Sequence, residues 1–420
     1  MSPYRTYLRR GALTLGAVTL GGYLTDYAFN LGLTRFLTPH DYGDFKVAYQ
    51  FATFFGLAVL LGGDRAAPMV LGPLLEQERP RAVWEYLRFY LGVALALGLG
   101  LAAVTWVVSF AHVGSADPEH HHPFAWVVLA VPLYAAGAMV SRTLQSARRP
   151  AEAAVPWRIG LPLAQLALFG LVIAVQGDLG LVEAIVIAIV ATAAITAGQW
   201  LRVRRLGLVE LARAPELLER RGWLSASLPM MGSFLVALAL NQSDLYFLEV
   251  LGDEAEVGHY AAAATAAHLL VLVQTTVVGL VAPIARPAIE GGAEASSSTY
   301  RHALKLMLGA LVPVALLLAG AAGPILELFG PSYRDARPVL ELLVLGGFAW
   351  AAAALASLWL QYQGRAGVVL AVALATLVAD SALNLLLIPR YGMTGAAAGT
   401  AATLSAAAAA VIVLERRRRS

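Results

Sequence analysis

The chain is a succession of apolar stretches, each about as long as a bilayer's hydrocarbon layer is thick, and this constrains its fold more than any single motif. A helix needs roughly 20 apolar residues to cross that layer. Twelve stretches qualify, at 11–34, 45–62, 89–110, 124–142, 156–176 and 180–201, then at 223–248, 259–283, 303–322, 338–360, 366–388 and 393–414. Their Ala, Leu, Val and Gly runs lack the apolar and polar alternation of a transmembrane barrel strand, so the predicted fold is all-α and polytopic. With 59% hydrophobic and 14% charged residues, the chain has more apolar surface than one water-soluble core hides. The first stretch is read as a span and not a cleaved leader, because it is too long, contains Asp26 and lacks a small-residue cleavage site.

Basic residues flanking membrane helices stay on the cytoplasmic side. Alternate loops divide accordingly. Most arginines, from Arg5, Arg9 and Arg10 through Arg79, Arg148 and Arg205 to the Arg416–Arg419 tail, fall on one side, whereas Arg35, Lys46, Arg334, Arg337 and Arg390 fall on the other. Both termini are therefore expected in the cytoplasm of a bacterial or archaeal cell, with an even number of crossings of the cytoplasmic membrane. The chain has no cysteine, which excludes disulfides and thiol chemistry.

The two halves repeat a pattern. Leu37, Tyr42, Gly43, Phe45 and Ala48 after the first span are matched by Leu251, Val257, Gly258, Tyr260 and Ala263 after the seventh. Leu144, Gln145 and Arg149 recur as Leu360, Gln361 and Arg365, and Gly180 recurs as Gly392, all at a nearly constant offset. Repeats of this kind mark transporters built from two related bundles. The expected organisation is a six-helix lobe at 1–205, a basic cytoplasmic connector at 206–222 and a second six-helix lobe at 223–420. An even number of spans per lobe relates them by a pseudo-two-fold axis along the membrane normal.

Chemistry is equally bounded by what is missing. No GxxxxGK[ST] phosphate loop occurs, so this chain is not expected to hydrolyse ATP. No Ser/His/Asp order, metal-hydrolase motif or large extramembrane domain suggests an enzyme, and no nucleic-acid signature appears. The run His120-His121-His122 is a loop that a metal ion would bind only with further ligands, and the arginine tail suits anionic lipid or plain orientation.

Several motifs resemble the superfamily of multidrug, oligosaccharidyl-lipid and polysaccharide exporters, and the polysaccharide flippase branch most of all. They are Arg35-Phe-Leu-Thr-Pro-His-Asp-Tyr-Gly-Asp-Phe45, Asp244 with Val257-Gly-His-Tyr260, Leu328-Phe-Gly-Pro-Ser-Tyr333, and the segment NLLLIPRYGMTG from Asn384 to Gly395. The resemblance implies a V-shaped, two-lobed monomer whose central cavity opens alternately to each side. Its cargo would be a polyprenyl-pyrophosphate-linked oligosaccharide moved from the inner to the outer leaflet. A polysaccharide polymerase, glycosyltransferases and membrane lipids would be its partners. A sodium- or proton-coupled drug or metabolite exporter of the same superfamily is the runner-up, and a membrane scaffold or enzyme of polysaccharide assembly a third reading.

Polar residues inside spans cost at least ~2.5 kcal/mol each when charged, so they call for an explanation. Asp380 and Asn384 share a helix face by their i,i+4 spacing, and with Asp244 and Thr400 they supply two carboxylates, an amide oxygen and a hydroxyl, a ligand set suited to sodium. The same groups would also serve as interhelical hydrogen bonds. In the lipid II flippases that this chain resembles, sodium is held at corresponding positions of spans seven, eleven and twelve. The acid and amide of span eleven are exchanged here, which leaves a proton as the alternative coupling ion. For the anionic head group the candidates are Arg35, Arg65, Arg142 and Arg286, since paired guanidinium N–H groups grip phosphate, with Asp26, Asn30 and Gln274 as polar lining. Boundary arginines also simply obey the orientation bias. Arg286 is expected at a broken helix end between Pro283 and Pro287, and Arg35 is expected to pair with Asp41 or Asp44 as a gate or a surface salt bridge.

Overall fold

A computed structural model of the protein describes residues 3–113, 124–211, 220–240 and 242–416. The His120–His122 run, connector residues 212–219, Asn241 and the arginines 417–419 lie outside these. Among the described residues every regular element is helical. The helices are α1 (Pro3–Leu33), α2 (Pro39–Ala58), α3 (Gly63–Glu76), α4 (Pro80–Val113), α5 (Phe124–Val127), α6 (Val131–Ser146), α7 (Pro150–Val155), α8 (Leu161–Gln176) and α9 (Leu181–Arg205). They continue with α10 (Arg220–Leu240), α11 (Ser243–Leu251), α12 (Glu254–Glu290), α13 (Ala293–Gly320), α14 (Ala322–Glu327), α15 (Arg337–Tyr362) and α16 (Ala366–Arg416). Most of the twelve apolar stretches fall on one of these helices or on one arm of a broken one, whereas 124–142 runs across α5 and α6 and 223–248 across α10 and α11. Among the described residues seven helices are long and apolar enough to cross a membrane, and α2 with α3, bent by 46°, make an eighth candidate.

At 51 residues, α16 would be about 75 Å long if straight, far beyond a layer of about 30 Å. It turns back at Gly392, whose φ of 53° and ψ of −139° are not helical. Gly395 faces the Leu387 carbonyl, Gly399 faces Leu383, and Thr403 reaches Asp380, so the two arms run antiparallel from that residue. A Cβ at Gly392 would lie 2.2 Å from a Glu256 carboxylate oxygen, and the same carboxylate accepts from Met393 N–H at 2.9 Å. Glu256 thereby caps the returning arm, a favourable end for an anion. The stretches 366–388 and 393–414 are thus two arms of a hairpin.

Packing groups the chain into two compact units, residues 1–43 with 239–420 and residues 44–238. In the unit of residues 1–43 and 239–420, α12, α13, α15 and α16 form the main stack, and α1 packs on α12. Their backbones approach through small residues: a Cβ at Gly346 would meet Ala401 Cα at 2.7 Å, and one at Gly258 would meet the Pro39 carbonyl at 1.9 Å. Lipid tails are as apolar as leucine, so close backbone approach and hydrogen bonds hold such helices together. Accordingly Val378 stays 69% exposed, while Trp359 is fully buried with its indole N–H on Ser296 Oγ at 3.0 Å.

In the unit of residues 44–238, α6 packs against α3, α4 and α9 over a core containing Leu71, Tyr86, Tyr90, Met139 and Trp223. The second helix does not end near residue 62 as the apolar pattern predicts. It breaks at Val59–Gly62 and resumes as α3 for 14 residues. In hydrocarbon each unpaired backbone group costs several kcal/mol, so the break needs donors. Ser227 Oγ donates to the Leu61 carbonyl at 2.8 Å, Tyr86 O–H donates to the Gly63 carbonyl at 2.7 Å, and Tyr90 O–H supports Ser227 Oγ at 3.0 Å. Gly62 sits at φ 78°, where a Cβ would lie 2.2 Å from the Ser227 carbonyl oxygen.

A second irregularity is a π-helical turn at Pro156–Gly160 between α7 and α8. Pro156 has no N–H, so the Glu152 carbonyl four residues earlier loses its helical donor. Gln199 of α9 replaces it, donating Nε2 to the carbonyls of Glu152 (2.9 Å) and Ala153 (3.0 Å), and Ser141 Oγ donates to Ala153 at 3.1 Å. Its Oε1 accepts from the Trp157 indole N–H at 2.7 Å. One side chain therefore repairs the turn and fixes the tryptophan.

Candidate functional site

α11 begins after the break that follows α10, and its first turn presents Ser243 and Asp244. The α16 hairpin brings Asp380, Asn384, Thr400 and Thr403 to the same place. Asn384 Nδ2 donates to Asp244 Oδ1 at 2.8 Å and to Asp380 Oδ2 at 3.1 Å. Asp244 Oδ2 accepts from Tyr260 O–H at 2.6 Å and from Thr400 Oγ1 at 2.7 Å. Asp380 accepts from Thr403 Oγ1 at 3.1 Å and Ser243 Oγ at 3.3 Å. Asp244 is 8% exposed, Asp380 2% and Asn384 0%.

Two carboxylates joined by one amide are costly in such surroundings without a counter-charge. Among the described residues no basic side chain pairs with either of them, and Asn384 Oδ1 is buried without a hydrogen-bond partner. The cluster has room in its chemistry for one positive charge, a proton or a hard cation that takes oxygen ligands. Among the described residues no three His, Cys, Asp or Glu side chains come together, which leaves the ligand set of a softer metal unmet. All four residues expected here from the sequence are thus in contact. Tyr260, Thr403 and Ser243 were missed as members, although Tyr260 stands in one of the motifs.

In the unit of residues 44–238 the first turn of α3 places Asp64 and Arg65 beside Arg142 of α6. Arg65 Nε lies 3.0 Å and Arg142 Nε 3.9 Å from Asp64 Oδ2, and Arg142 Nη1 donates to Gln145 Oε1 at 2.5 Å. Asp64 and Arg142 line a cavity of about 280 Å³ together with Thr53, Tyr134, Ser141 and Trp157. Of the arginines expected from the sequence, Arg65 and Arg142 therefore converge on one acid, and Arg65 lies inside a broken helix, past the expected span end.

The remaining candidates do not join these clusters. Asn30, 1% exposed, donates Nδ2 to the Asp26 carbonyl at 2.7 Å and to its carboxylate at 3.3 Å, and accepts from Tyr42 O–H at 2.9 Å. Asp26 itself is exposed, and Gln274 is half-buried on α12. Arg35 donates to the Leu328 carbonyl at 3.0 Å, while Asp41 is bonded to Thr38, which caps α2, so the expected Arg35–Asp41 pair is corrected. The helix break expected between Pro283 and Pro287 is absent, because α12 runs through to Glu290 and membrane helices tolerate such prolines. The Arg286 side chain is outside the described set.

With this geometry in view, the comparisons with known proteins decide the family. The sequence matches the family of polysaccharide biosynthesis proteins over residues 8–285. The chain belongs to this family. No curated protein matches its sequence. Among solved structures, the lipid II flippase MurJ in an inward closed conformation superposes with a TM-score of 0.75 at 12% identity, covering 96% of this chain and 87% of that one. An inward-facing multidrug resistance MATE transporter of the MOP superfamily gives 0.72 at 16% identity, covering 96% and 98%. A MOP superfamily transporter from Pyrococcus furiosus gives 0.69 at 14%, covering 98% and 96%. As a member of the polysaccharide biosynthesis family, the protein is a multi-pass membrane protein with the fold of these transporters.

Proposed function

We propose that the protein flips a polyprenyl-pyrophosphate-linked oligosaccharide from the inner to the outer leaflet of the cytoplasmic membrane, driven by sodium or a proton taken up between Asp244 and Asp380. Family membership supports a lipid-linked sugar as cargo. The observation that carries coupling is the buried carboxylate pair with no described counter-charge, bonded to one amide whose oxygen has no partner. Binding a cation there draws α11 and both arms of α16 onto one ion, and its release loosens them, which couples ion occupancy to helix position. Arg65 and Arg142 are the donors best placed for an anionic head group, with Arg35, Arg286, Asp26, Asn30 and Gln274 as further lining. Twelve crossings, two related lobes, cytoplasmic termini and a monomeric state complete the reading. A polysaccharide polymerase and glycosyltransferases would act beside it.

The test is reconstitution with fluorescent polyprenyl-pyrophosphate oligosaccharide, following access of the head group to an outside quencher with and without a sodium or pH gradient. Gradient-dependent flipping that Asp244→Asn abolishes is expected, and flipping indifferent to both would refute the coupling. Likeness to a multidrug transporter keeps drug export as the second reading. Drug movement by the same vesicles without lipid flipping would favour it.

A further inference from the structure

We infer that the cavity between α2, α3, α6 and the π turn is a subsite for one pyranose ring of the cargo, stacked on the Trp157 indole with its hydroxyls on Asp64 and Arg142. The inference rests on the flippase reading and names the sugar-recognising part of it.

The tryptophan is held as a fixed wall. Its N–H is anchored to Gln199, and the ring is accommodated only because residue 137 is glycine, where a Cβ would lie 2.2 Å from Trp157 Cζ2. π turns recur at functional sites, and here the turn sets an indole into a cavity wall. The axial C–H face of a pyranose is apolar and flat, and it matches an aromatic face, whereas the ring's rim of hydroxyls needs polar partners. Those partners face the same cavity. Asp64 is 2% exposed, with its Oδ2 held 3.0 Å from Arg65 Nε and 3.9 Å from Arg142 Nε. A carboxylate paired in this way keeps lone pairs to which vicinal sugar hydroxyls donate. Arg142 adds donors, and the Ser141 and Thr53 hydroxyls, whose protons are spent on backbone carbonyls, add acceptors.

Size and charge narrow the ligand. About 280 Å³ lies just below the ~300–1,000 Å³ that hold drug-sized ligands, which suits one ring and not a whole repeat unit. Two guanidinium groups stand against one carboxylate, so a neutral or carboxylated ring fits and a cationic amino sugar does not.

The experiment uses the full-length protein in nanodiscs and saturation-transfer NMR with methyl glucoside, methyl glucuronate and methyl glucosaminide, with inorganic pyrophosphate as a separate probe. Wild type should saturate the axial ring protons of the first two and spare the cationic one. Trp157→Leu should weaken glucoside binding about tenfold and leave pyrophosphate binding unchanged. Trp157→Phe, which keeps an aromatic face, should bind in between, and Asp64→Asn should reduce binding without removing it. If Trp157→Leu fails to fold, the phenylalanine and asparagine variants decide. Absence of glucoside saturation in wild type, or equal binding by all variants, would overturn the subsite. Lipid flipping that proceeds normally in Trp157→Phe without glucoside binding would sink the subsite and keep the flippase. Glucoside bound at Trp157 without any flipping would do the reverse.

Discussion

Replacing Asp380 by asparagine separates a coupling role from a structural one, because only the coupling role predicts that the response of stability to sodium is lost. The substitution keeps the side-chain shape. Thr403 can still donate to the new amide oxygen, and the new amide N–H groups can donate to Asn384 Oδ1, which has no partner in the wild type. The Thr403 bond therefore survives, the bonds that Oδ2 accepts from Asn384 Nδ2 and Ser243 Oγ do not, and one of two buried carboxylates disappears. In sodium-free buffer the relief of a buried charge offsets the two lost bonds, so the variant should stay within about 1–2 kcal/mol of wild type. Sodium should distinguish them. An ion at a hundredfold excess over its Kd stabilises the folded state by about 2.7 kcal/mol. Losing one charged ligand near 4 Å at an effective dielectric of about 20 removes about 4 kcal/mol, a Kd higher by roughly three orders of magnitude. Thermal unfolding in nanodiscs, in sodium against choline at constant ionic strength, reads both quantities. Sodium should raise the wild-type midpoint and leave Asp380→Asn unmoved. A variant that is less stable without sodium, yet still responds to sodium, would show that Asp380 merely ties helices together. A wild type stabilised by lower pH and not by sodium would assign the charge to a proton.

Gly62→Ala should destabilise the protein by about 1–2 kcal/mol for the left-handed backbone alone, and by more as Ser227 is pushed off the Leu61 carbonyl. Gly232→Ala, whose Cβ meets open space in α10, should be neutral or stabilising in the same unfolding assay. Gln199→Leu leaves the Glu152 carbonyl without its described donor and should cost about 1–3 kcal/mol, together with a change in tryptophan fluorescence as Trp157 loses its anchor. Glu256→Ala should remove the cap of the returning arm of α16, costing about 0.5–2 kcal/mol, and Glu256→Gln should restore most of it. In the connector, the hydrogen bonds from Arg81 hold the Glu210 carboxyl below the ordinary glutamate range. A depressed folded value means the pair persists above the unfolded value and lets go as pH falls through the folded one. Carbon-detected NMR of Glu210 should show the shift and its loss in Arg81→Gln.

Family and fold were open to reading because they rest on quantities laid out along the chain. Span length, the side on which arginines fall, and motifs such as NLLLIPRYGMTG need no knowledge of contacts. The i,i+4 placement of Asp380 and Asn384 likewise follows from helix geometry alone. Partners from distant segments were less accessible. Tyr260 and Thr403 join the acid pair only because α12 and the returning arm of α16 lie against α11, and their hydroxyls look like any others in the sequence. Arg35 was assigned to nearby acids, but Thr38 already occupies Asp41, and the Leu328 carbonyl, freed where the chain turns at Gly330, is the acceptor within reach.

By itself the sequence determined that this chain lives in a bilayer, that it is all-helical, and that two acids and an amide of its second half stand inside apolar stretches. Apolar length and charge are local properties, and the bilayer reads them segment by segment. Only the tertiary structure decided which buried groups meet. It broke the second helix at Gly62, turned α16 back at Gly392, and used Gln199 to set Trp157 into a cavity wall with Asp64 and Arg142. Those choices depend on close backbone approach and on donors for freed carbonyls, which neighbouring helices supply and no single segment encodes.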